Sequence, residues 1–441
     1  MMNQPAATPP GNLKIPRDFL ATGWHIGIKN KAENLDFGVL YSRRPCTAAA
    51  VFTRNNFPGN PVIVGREHMQ DGRLQCIIVN SGNSNVATGA EGLALARKSC
   101  EVAAQALGLA QADLVLPSST GVIGRKLPAD KLLGACESLG ERLSVAQAPE
   151  ESDEFAGDAA AFARAICTTD AYPKMSSREL SGGVRLMGFA KGAGMIEPNM
   201  ATMLAYFATD AEIEREDLDR LFRCIMDRTL NRISVDGDTS TSDTSVLLAN
   251  GASGKTISFP EEAARAMRQL PAPIDAKSIT KLPGLSPADA VFAQALYEMA
   301  LDLGKLIVAD GEGARRFFEV LVSGARDADQ ALRVARSIAN SPLVKTAIHG
   351  ADPNWGRLVM AVGKVPDGPR DLAKLEIYIG DRPLHGEHGT QAESLRALSQ
   401  YIQDNQEVRL HVVLGEGTAS ECVWASDLSR EYVHLNSEYT T

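Results

Sequence analysis

The sequence predicts a mixed α/β or α+β fold built in layers. Short β-type runs alternate with amphipathic segments through most of the chain, and apolar residues in the amphipathic segments recur at helical spacing. The chain has 441 residues, enough for two or three domains, since one domain takes about 150 residues. We therefore expect helices packed on sheets around sizeable cores.

The periodicity of apolar residues predicts several strands and the helices that cover them. The strand segments are QCIIVN at 75–80, GVRLMGFAKG at 183–192 and TSVLLAN at 244–250. The helical positions are Leu93, Ala96, Cys100, Ala103 and Leu107 in one helix, and Leu132, Leu133, Cys136, Leu139 and Leu143 in another.

A longer helix is predicted to begin at Ser286, which is a good N-cap residue. Pro287 stands at the first helical position and Asp289 near the positive end of the helix dipole. The buried stripe of this helix should end at the Asp310-Gly311 turn.

Two segments are predicted to lack regular structure. Residues 1–15 form a proline-rich, flexible lead-in with neither the basic nor the apolar region of a signal peptide. Residues 255–287 carry five prolines and little periodicity, so we predict an extended linker or surface loop between two structural units.

Composition excludes several classes of protein. The net charge of −9 makes a broad nucleic-acid surface improbable, and no apolar stretch approaches the roughly 20 residues that a membrane span requires. Seven scattered cysteines without a C-x-x-C pair indicate neither a disulfide framework nor a zinc ribbon. A reducing cytosol, and hence a cytoplasmic location, fits this pattern best.

Common catalytic motifs are absent from the sequence. The segment ANGASGKT at 249–256 lacks the first glycine of a phosphate loop, and no G-x-S-x-G elbow is present. His385 and His388 lie three residues apart, but no acidic residues accompany them at metal-ligand spacing. No metal site is predicted.

Thr202 is a candidate nucleophile, because it begins a β-type run directly after the glycine-rich and proline-containing segment AKGAGMIEPNMA. Cleavage of the Ala201–Thr202 bond would free an α-amine with a pKa of about 8 beside the threonine hydroxyl. That amine could act as general base for the hydroxyl without any histidine. On this chemistry alone, a structural threonine at the start of a core strand remains the favoured interpretation.

Two further loops are candidates for the same site. LPSSTGVIG at 116–124 follows a β-type run and offers closely spaced backbone N–H groups around Thr120 and Gly121, which suit an oxyanion hole or an ordinary turn. CTTDAYPK at 167–174 follows a helical pattern and is either a substrate-contacting loop or a simple helix end.

Taken together, these segments resemble the ornithine acetyltransferase family of arginine biosynthesis, also described as bifunctional glutamate N-acetyltransferases. The resemblance extends over nearly the whole chain after the lead-in. It is carried by VFTRN at 51–55, NSGNSNVATG at 80–89, STGVIG at 119–124, TTD at 168–170, KGAGMIEPNMATML at 191–204, SVDGDTSTSDT at 234–244, DGEGA at 310–314, KTAIHGADPNWGR at 345–357 and NSEYTT at 436–441.

The resemblance implies an enzyme that cleaves itself between Ala201 and Thr202. An α chain (16–201 after the lead-in) and a β chain (202–441, with a smaller α/β unit at about 311–441) would stay together, usually as an α2β2 heterotetramer. Thr202 would carry the acetyl group from N-acetylornithine to glutamate in a ping-pong cycle. No cofactor is implied, and the use of acetyl-CoA as a further acetyl donor stays open.

The resemblance also implies the site residues and the fold. Thr120 and Gly121 would form the oxyanion hole, and substrate contacts transfer to Thr168, Lys191, Thr202, Glu312, Asn436 and Thr441. Thr169 is an alternative to Thr168. The implied fold is α+β, arranged as an α/β/β/α layered sandwich. An N-terminal-nucleophile amidohydrolase and an unprocessed, non-catalytic scaffold remain alternatives.

Overall fold

A computed structural model describes residues 13–145, 154–197, 203–366, 368–369, 371–386 and 392–438. The strands are β1 Phe19–Trp24, β2 Phe37–Phe52, β3 Arg73–Asn80, β4 Val115–Ser119, β5 Lys174–Glu179, β6 Arg185–Lys191, β7 Leu204–Thr209, β8 Glu212–Ile213, β9 Ile233–Ser234, β10 Thr244–Ala249, β11 Thr256–Ile257, β12 Phe317–Ala325, β13 Glu376–Ile379, β14 Arg382–His385, β15 Glu407–Val413 and β16 Ala419–Ser426.

The helices alternate with these strands. They are α1 Asn60–His68, α2 Gly89–Leu107, α3 Ala129–Glu137, α4 Leu139–Val145, α5 Glu154–Ala165, α6 Arg215–Arg228, α7 Glu261–Gln269, α8 Ala276–Ile279, α9 Pro287–Ala309, α10 Ala328–Ala339, α11 Pro342–His349, α12 Trp355–Gly363, α13 Ala392–Asp404 and α14 Arg430–Glu438.

The larger sheet has the strand order β4-β3-β2-β10-β7-β6-β5, and β1 pairs separately with β2. Side chains alternate between its two faces, as β7 illustrates. Tyr206 packs in a core shared with α5, whereas Phe207 packs against α6 and α9. The outer face of β3 and β4 is covered by α2, α3 and α4. Helices therefore cover the sheet on two sides.

The long strand β2 folds this sheet into two layers. Its first half pairs with β3 and its second half with β10. If β2 were straight, its ends at Phe37 and Phe52 would lie about 50 Å apart. Yet Thr120, just after β4, and Lys191, at the end of β6, are in hydrogen-bond contact at 3.2 Å. The two halves of the sheet therefore face one another, which confirms the α+β class and the layered α/β/β/α arrangement.

A second sheet lies in the carboxy-terminal part of the chain, with the order β14-β13-β15-β12-β16-β9. It has its own core, formed with side chains from α10, α11, α12 and α13. β9 lies far earlier in the sequence and pairs in parallel with β16, so it ties this sheet to the first one.

Residues 255–287 correct one prediction. The expected extended linker or loop contains α7 and α8, and Ala263, Met267 and Ile279 are buried in the core beneath α9. The prolines mark the boundaries of these short helices rather than an unstructured segment, since Pro260 is the N-cap of α7. A smaller difference occurs at Ser138, where the single helix predicted through Leu143 is divided into α3 and α4.

Candidate active site

The end of β6 brings two of the predicted segments together. Lys191 is buried there, and its Nζ donates to Thr120 Oγ1 over 3.2 Å. The next residue, Gly192, donates its N–H to Asp170 Oδ1 at 2.7 Å. The STGVIG segment therefore contacts the last residue of β6, and the TTD segment contacts the residue that follows it.

Thr120 and Gly121 form a turn after β4 that packs against a neighbouring loop. Gly121 has a φ of 120°, and a Cβ there would lie 2.4 Å from the carbonyl carbon of Gly82, so the turn requires glycine. The Thr120 N–H donates to the Asn80 carbonyl at 3.0 Å, which leaves the hydroxyl as the donor of this residue. Within the described residues the Gly121 N–H has no acceptor. This N–H and the Thr120 hydroxyl could both donate hydrogen bonds to an oxyanion. The oxyanion hole at Thr120 and Gly121 stays a prediction.

A buried charge cluster lies behind the end of β6. The fully buried Nζ of Lys174 lies 2.7 Å from Asp170 Oδ1 and 2.6 Å from Asp310 Oδ2. Asp170 also accepts the Thr168 N–H, and Asp310 accepts the Ala171 N–H, each at 3.0 Å. Ion pairs and hydrogen bonds of this cluster therefore connect the loop that follows α5 to the carboxyl end of α9.

Burial and ion pairing oppose one another in this cluster. Burial would raise the pKa of Asp170, but Lys174, Lys191 and the Gly192 N–H hold it below its ordinary value. Burial would lower the pKa of Lys174, yet the two carboxylates raise it. At Asp310 burial outweighs the attraction of Lys174, and the pKa lies above its ordinary value. Asp170 and Lys174 are therefore both charged at neutral pH.

A pocket of about 380 Å³ opens beside the charge cluster. Thr168 and Thr169 contribute to its lining, together with Glu312 and Asn436. Asn436 belongs to α14, and its Nδ2 donates to Glu312 Oε2 at 2.8 Å. The carboxy-terminal helix therefore lies against the pocket, and both threonines of the TTD segment are within reach of a bound molecule.

Glu312 is placed by contacts with the loop after β6. Its N–H donates to the Ala193 carbonyl at 2.9 Å. A Cβ on Gly194 would lie 2.6 Å from the Glu312 carboxyl carbon, so glycine is what lets the carboxylate rest on this loop. The loop that follows Lys191 therefore positions the acidic side of the pocket.

Three of the predicted site residues, Ala201, Thr202 and Thr441, lie outside the described residues. The nearest described strand residue after the first two is Leu204, which pairs with Lys191 across β6 and β7. Thr202 therefore precedes, by two positions in the sequence, the pairing partner of Lys191.

Comparison with known proteins identifies the family. A family model described as "ArgJ family" matches residues 20–441. The chain belongs to the ArgJ family.

Curated relatives support this assignment over almost the full length. "Arginine biosynthesis bifunctional protein ArgJ 2" of Clostridium acetobutylicum is 39% identical over 97% of this chain and 99% of its own. "Glutamate N-acetyltransferase Oat2" of Streptomyces clavuligerus is 42% identical over 97% of this chain and 98% of its own. A crystal structure of an ArgJ protein from Bacillus halodurans is 34% identical and covers 54% of this chain and all of its own, with a TM-score of 0.46.

In this ArgJ family member, the residues that support the site are not apparent from the sequence alone. Asp170 and Asp310 stand in the quoted motifs TTD and DGEGA, but nothing in their spacing predicts that both bind Lys174. The available signal was a lysine at the start of β5, four residues after Asp170, where a buried strand position seldom holds an unpaired charge.

No group of three or more His, Cys, Asp or Glu side chains is arranged to hold a metal ion in the part of the chain that the structure describes. Of the helices in that part, none has both the length and the apolar character of a membrane span.

Proposed function

We propose that this ArgJ family protein transfers the acetyl group of N-acetylornithine to glutamate, giving ornithine and N-acetylglutamate. The transfer proceeds through an acetyl ester on Thr202, after the chain cleaves itself at the Ala201–Thr202 bond. The observation that carries the proposal is the contact of Lys191 with Thr120, beside a Gly121 N–H that has no acceptor among the described residues. Lys191 also pairs with Leu204, which follows Thr202 by two positions in the sequence.

Cleavage prepares the nucleophile. Hydrolysis of the Ala201–Thr202 peptide bond gives Ala201 a carboxylate and Thr202 a free α-amine. In the first half of the cycle the Thr202 hydroxyl attacks the acetyl carbonyl, the amine takes the proton, and ornithine leaves as the C–N bond breaks. In the second half the α-amine of glutamate attacks the ester and releases the Thr202 hydroxyl.

Both half-reactions pass through a tetrahedral oxyanion. The Gly121 N–H and the Thr120 hydroxyl are the donors that support its stabilisation, and one such donor is typically worth about 2.7–4 kcal/mol of activation free energy. Because Thr120 Oγ1 accepts a hydrogen bond from the Lys191 ammonium group, its own O–H is polarised and becomes a stronger donor.

The pocket suits an amino-acid substrate with a cationic amine. The Glu312 carboxylate on its rim can bind an ammonium group, while Asn436 fixes the carboxylate through Oε2 and Thr168 and Thr169 offer hydroxyl groups. We further propose that Lys191 pairs with a substrate carboxylate and that Thr441 contributes from the carboxy terminus.

Three related properties are part of the proposal. No resident cofactor is proposed, and the use of acetyl-CoA as an additional acetyl donor stays open. The cleaved chains are proposed to form a cytoplasmic α2β2 heterotetramer that has no nucleic-acid or membrane partner. An N-terminal-nucleophile amidohydrolase, in which water resolves the acyl ester, is the enzyme alternative, and an unprocessed scaffold is the non-catalytic one.

The test is to incubate the processed protein with N-acetylornithine and glutamate and to measure N-acetylglutamate. Formation of equal amounts of ornithine and N-acetylglutamate is expected. Ornithine and free acetate without N-acetylglutamate would favour the hydrolase, and no reaction from a full-length, uncleaved chain would favour the scaffold. Labelled acetyl-CoA with glutamate alone tests the additional donor.

A further inference from the structure

We propose that Asp236 is a positioning residue for self-cleavage, which holds the backbone on the amino-terminal side of the cleavage bond. This inference rests on the proposed function, since it concerns the bond between Ala201 and Thr202. Asp236 belongs to the SVDGDTSTSDT segment, to which neither the sequence motifs nor the pocket assign a role.

Both oxygens of the Asp236 carboxylate bind backbone amides of the loop that leads to the cleavage bond. Oδ2 accepts the Met195 N–H at 2.6 Å and Oδ1 accepts the Ile196 N–H at 2.9 Å. Met195 has a φ of 55°, a left-handed conformation that costs free energy in a residue other than glycine. The two charge-assisted hydrogen bonds offset that cost and fix the direction of the chain.

Backbone hydrogen bonds extend the contact to the last described residue before the bond. The Val235 N–H donates to the Ile196 carbonyl at 2.7 Å, and the Glu197 N–H donates to the Asp238 carbonyl at 3.0 Å. The Thr239 hydroxyl donates to the Glu197 carbonyl at 3.1 Å. The backbone N–H and carbonyl groups of both Ile196 and Glu197 are therefore hydrogen-bonded to one segment, residues 235–239.

The same segment continues into the strand that holds the other side of the bond. The Thr244 N–H donates to the Met203 carbonyl at 3.0 Å, and β10 then pairs with β7 from Leu204 onward. Residues 235–249 therefore anchor the chain both before and after the bond. In self-cleavage the Thr202 hydroxyl would attack the Ala201 carbonyl, the peptide C–N bond would break to free the Thr202 amine, and water would hydrolyse the resulting ester. Such an attack depends strongly on placement, and a displacement of about 1 Å can lower its rate by about 100-fold.

Asp236 also contacts the carboxy-terminal helix that lies against the pocket. The Tyr432 hydroxyl on α14 donates to Asp236 Oδ2 at 3.4 Å. The buried Lys345 of α11 and the Glu197 carboxylate both interact electrostatically with Asp236. The Asp236 carboxylate therefore contacts both the cleavage loop and α14.

The experiment is pulse-labelled cell-free synthesis of the full 441-residue chain, followed by the rate at which label appears in fragments 1–201 and 202–441. Asp236→Asn keeps the shape but leaves only one acceptor oxygen for the two amides. We expect it to slow cleavage by about 10- to 100-fold. Asp236→Glu, which keeps both oxygens, should recover part of the rate.

The matched control is Asp381→Asn. Asp381 is exposed in the turn between β13 and β14, so this variant makes the same charge change away from segment 235–239 and should cleave at the wild-type rate. Melting temperatures of Asp236→Asn and Asp381→Asn, each combined with Thr202→Ala, separate folding from cleavage.

Three outcomes would overturn the inference. Wild-type cleavage in Asp236→Asn would show that the carboxylate has no positioning role. Equal slowing in Asp236→Asn and Asp381→Asn, or a loss of folding in Asp236→Asn that accounts for the slowing, would show a general effect of charge or stability instead of positioning. If the wild-type chain itself stays intact while it transfers acetyl groups, the cleavage step of the proposed function fails together with this inference.

Discussion

Lys174 is fully buried between the carboxylates of Asp170 and Asp310. Its replacement tests how much this buried cation contributes to the free energy of unfolding. Lys174→Met leaves two buried carboxylates without their cation. Because a broken buried ion pair typically costs 3–5 kcal/mol, we expect a loss of about that size in the free energy of unfolding. Urea denaturation at neutral pH measures it.

The control for Lys174→Met is Lys98→Met. Lys98 forms an exposed ion pair with Glu101 on α2, and such pairs are worth less than about 1 kcal/mol. Equal losses in the two variants would contradict the structural role assigned to the buried cluster.

Gly194 provides a test of how the carboxylate of Glu312 is placed. Gly194→Ala puts a methyl group 2.6 Å from the present position of the Glu312 carboxyl carbon, so the carboxylate must move. We expect the KM for N-acetylornithine to rise by about 10-fold or more while the chain remains folded, as one misplaced charged contact costs at least about 1.4 kcal/mol. Steady-state kinetics measure the change.

The matched control is Gly134→Ala in α3, where a Cβ would meet no atom within 4 Å. This substitution should leave the KM unchanged and raise helix stability slightly, since alanine favours a helix more than glycine does. An unchanged KM in Gly194→Ala would show that Glu312 does not bind the substrate.

The buried Lys345 side chain should make the free energy of unfolding depend on pH. Burial lowers its pKa to about 8 from 10.5. Between these two values the unfolded chain binds more protons than the folded chain, so the contribution of Lys345 to stability rises with pH. Relative to Lys345→Met, the wild type should gain up to about 3 kcal/mol from pH 7 to 10.5. A constant difference across that range would contradict the lowered pKa.

A capping box stabilises the start of α9. The Ser286 side chain accepts the Asp289 N–H, and the Asp289 carboxylate accepts the Ser286 N–H. Ser286→Ala should lower the free energy of unfolding by about 1 kcal/mol, measured by urea denaturation. Ser144→Ala, at an exposed hydroxyl bound to a carbonyl of its own helix, should change it by less than about 0.5 kcal/mol. Equal effects would argue against the cap.

Local patterns predict elements well where the element's own residues determine them. α2 and α9 follow from apolar spacing and capping residues, and β3, β6 and β10 follow from short apolar runs. α7 and α8 are missed because they are short, lie between prolines and owe their burial to the distant helix α9.

In the site too, local sequence motifs indicate single residues, whereas the contacts between those residues depend on distant parts of the fold. The family resemblance indicates Thr120 and Lys191 separately, whereas their contact depends on the folding of β2 between its two halves. The engagement of the Thr120 N–H by Asn80 likewise depends on the pairing of β4 with β3, which the turn residues do not reveal.

At the scale of the whole molecule, the proposed α and β chains share one sheet. β10 pairs with β2 and β7 pairs with β6, so two strands of the β chain lie between strands of the α chain. The two fragments should therefore elute together in size-exclusion chromatography under native conditions and separate only in denaturant. Separation without denaturant would contradict the strand order.

Thr202 is proposed to carry the acetyl group between the two substrates. Intact-mass spectra of the wild type, with and without N-acetylornithine and then after addition of glutamate, test this role. We predict two fragments, 1–201 and 202–441, of which the second gains the mass of one acetyl group with the donor and loses it with glutamate. Thr202→Ala should stay as a single 47.1 kDa chain without acetylation. An uncleaved wild type, or transfer without any acetylated 202–441 fragment, would contradict the account.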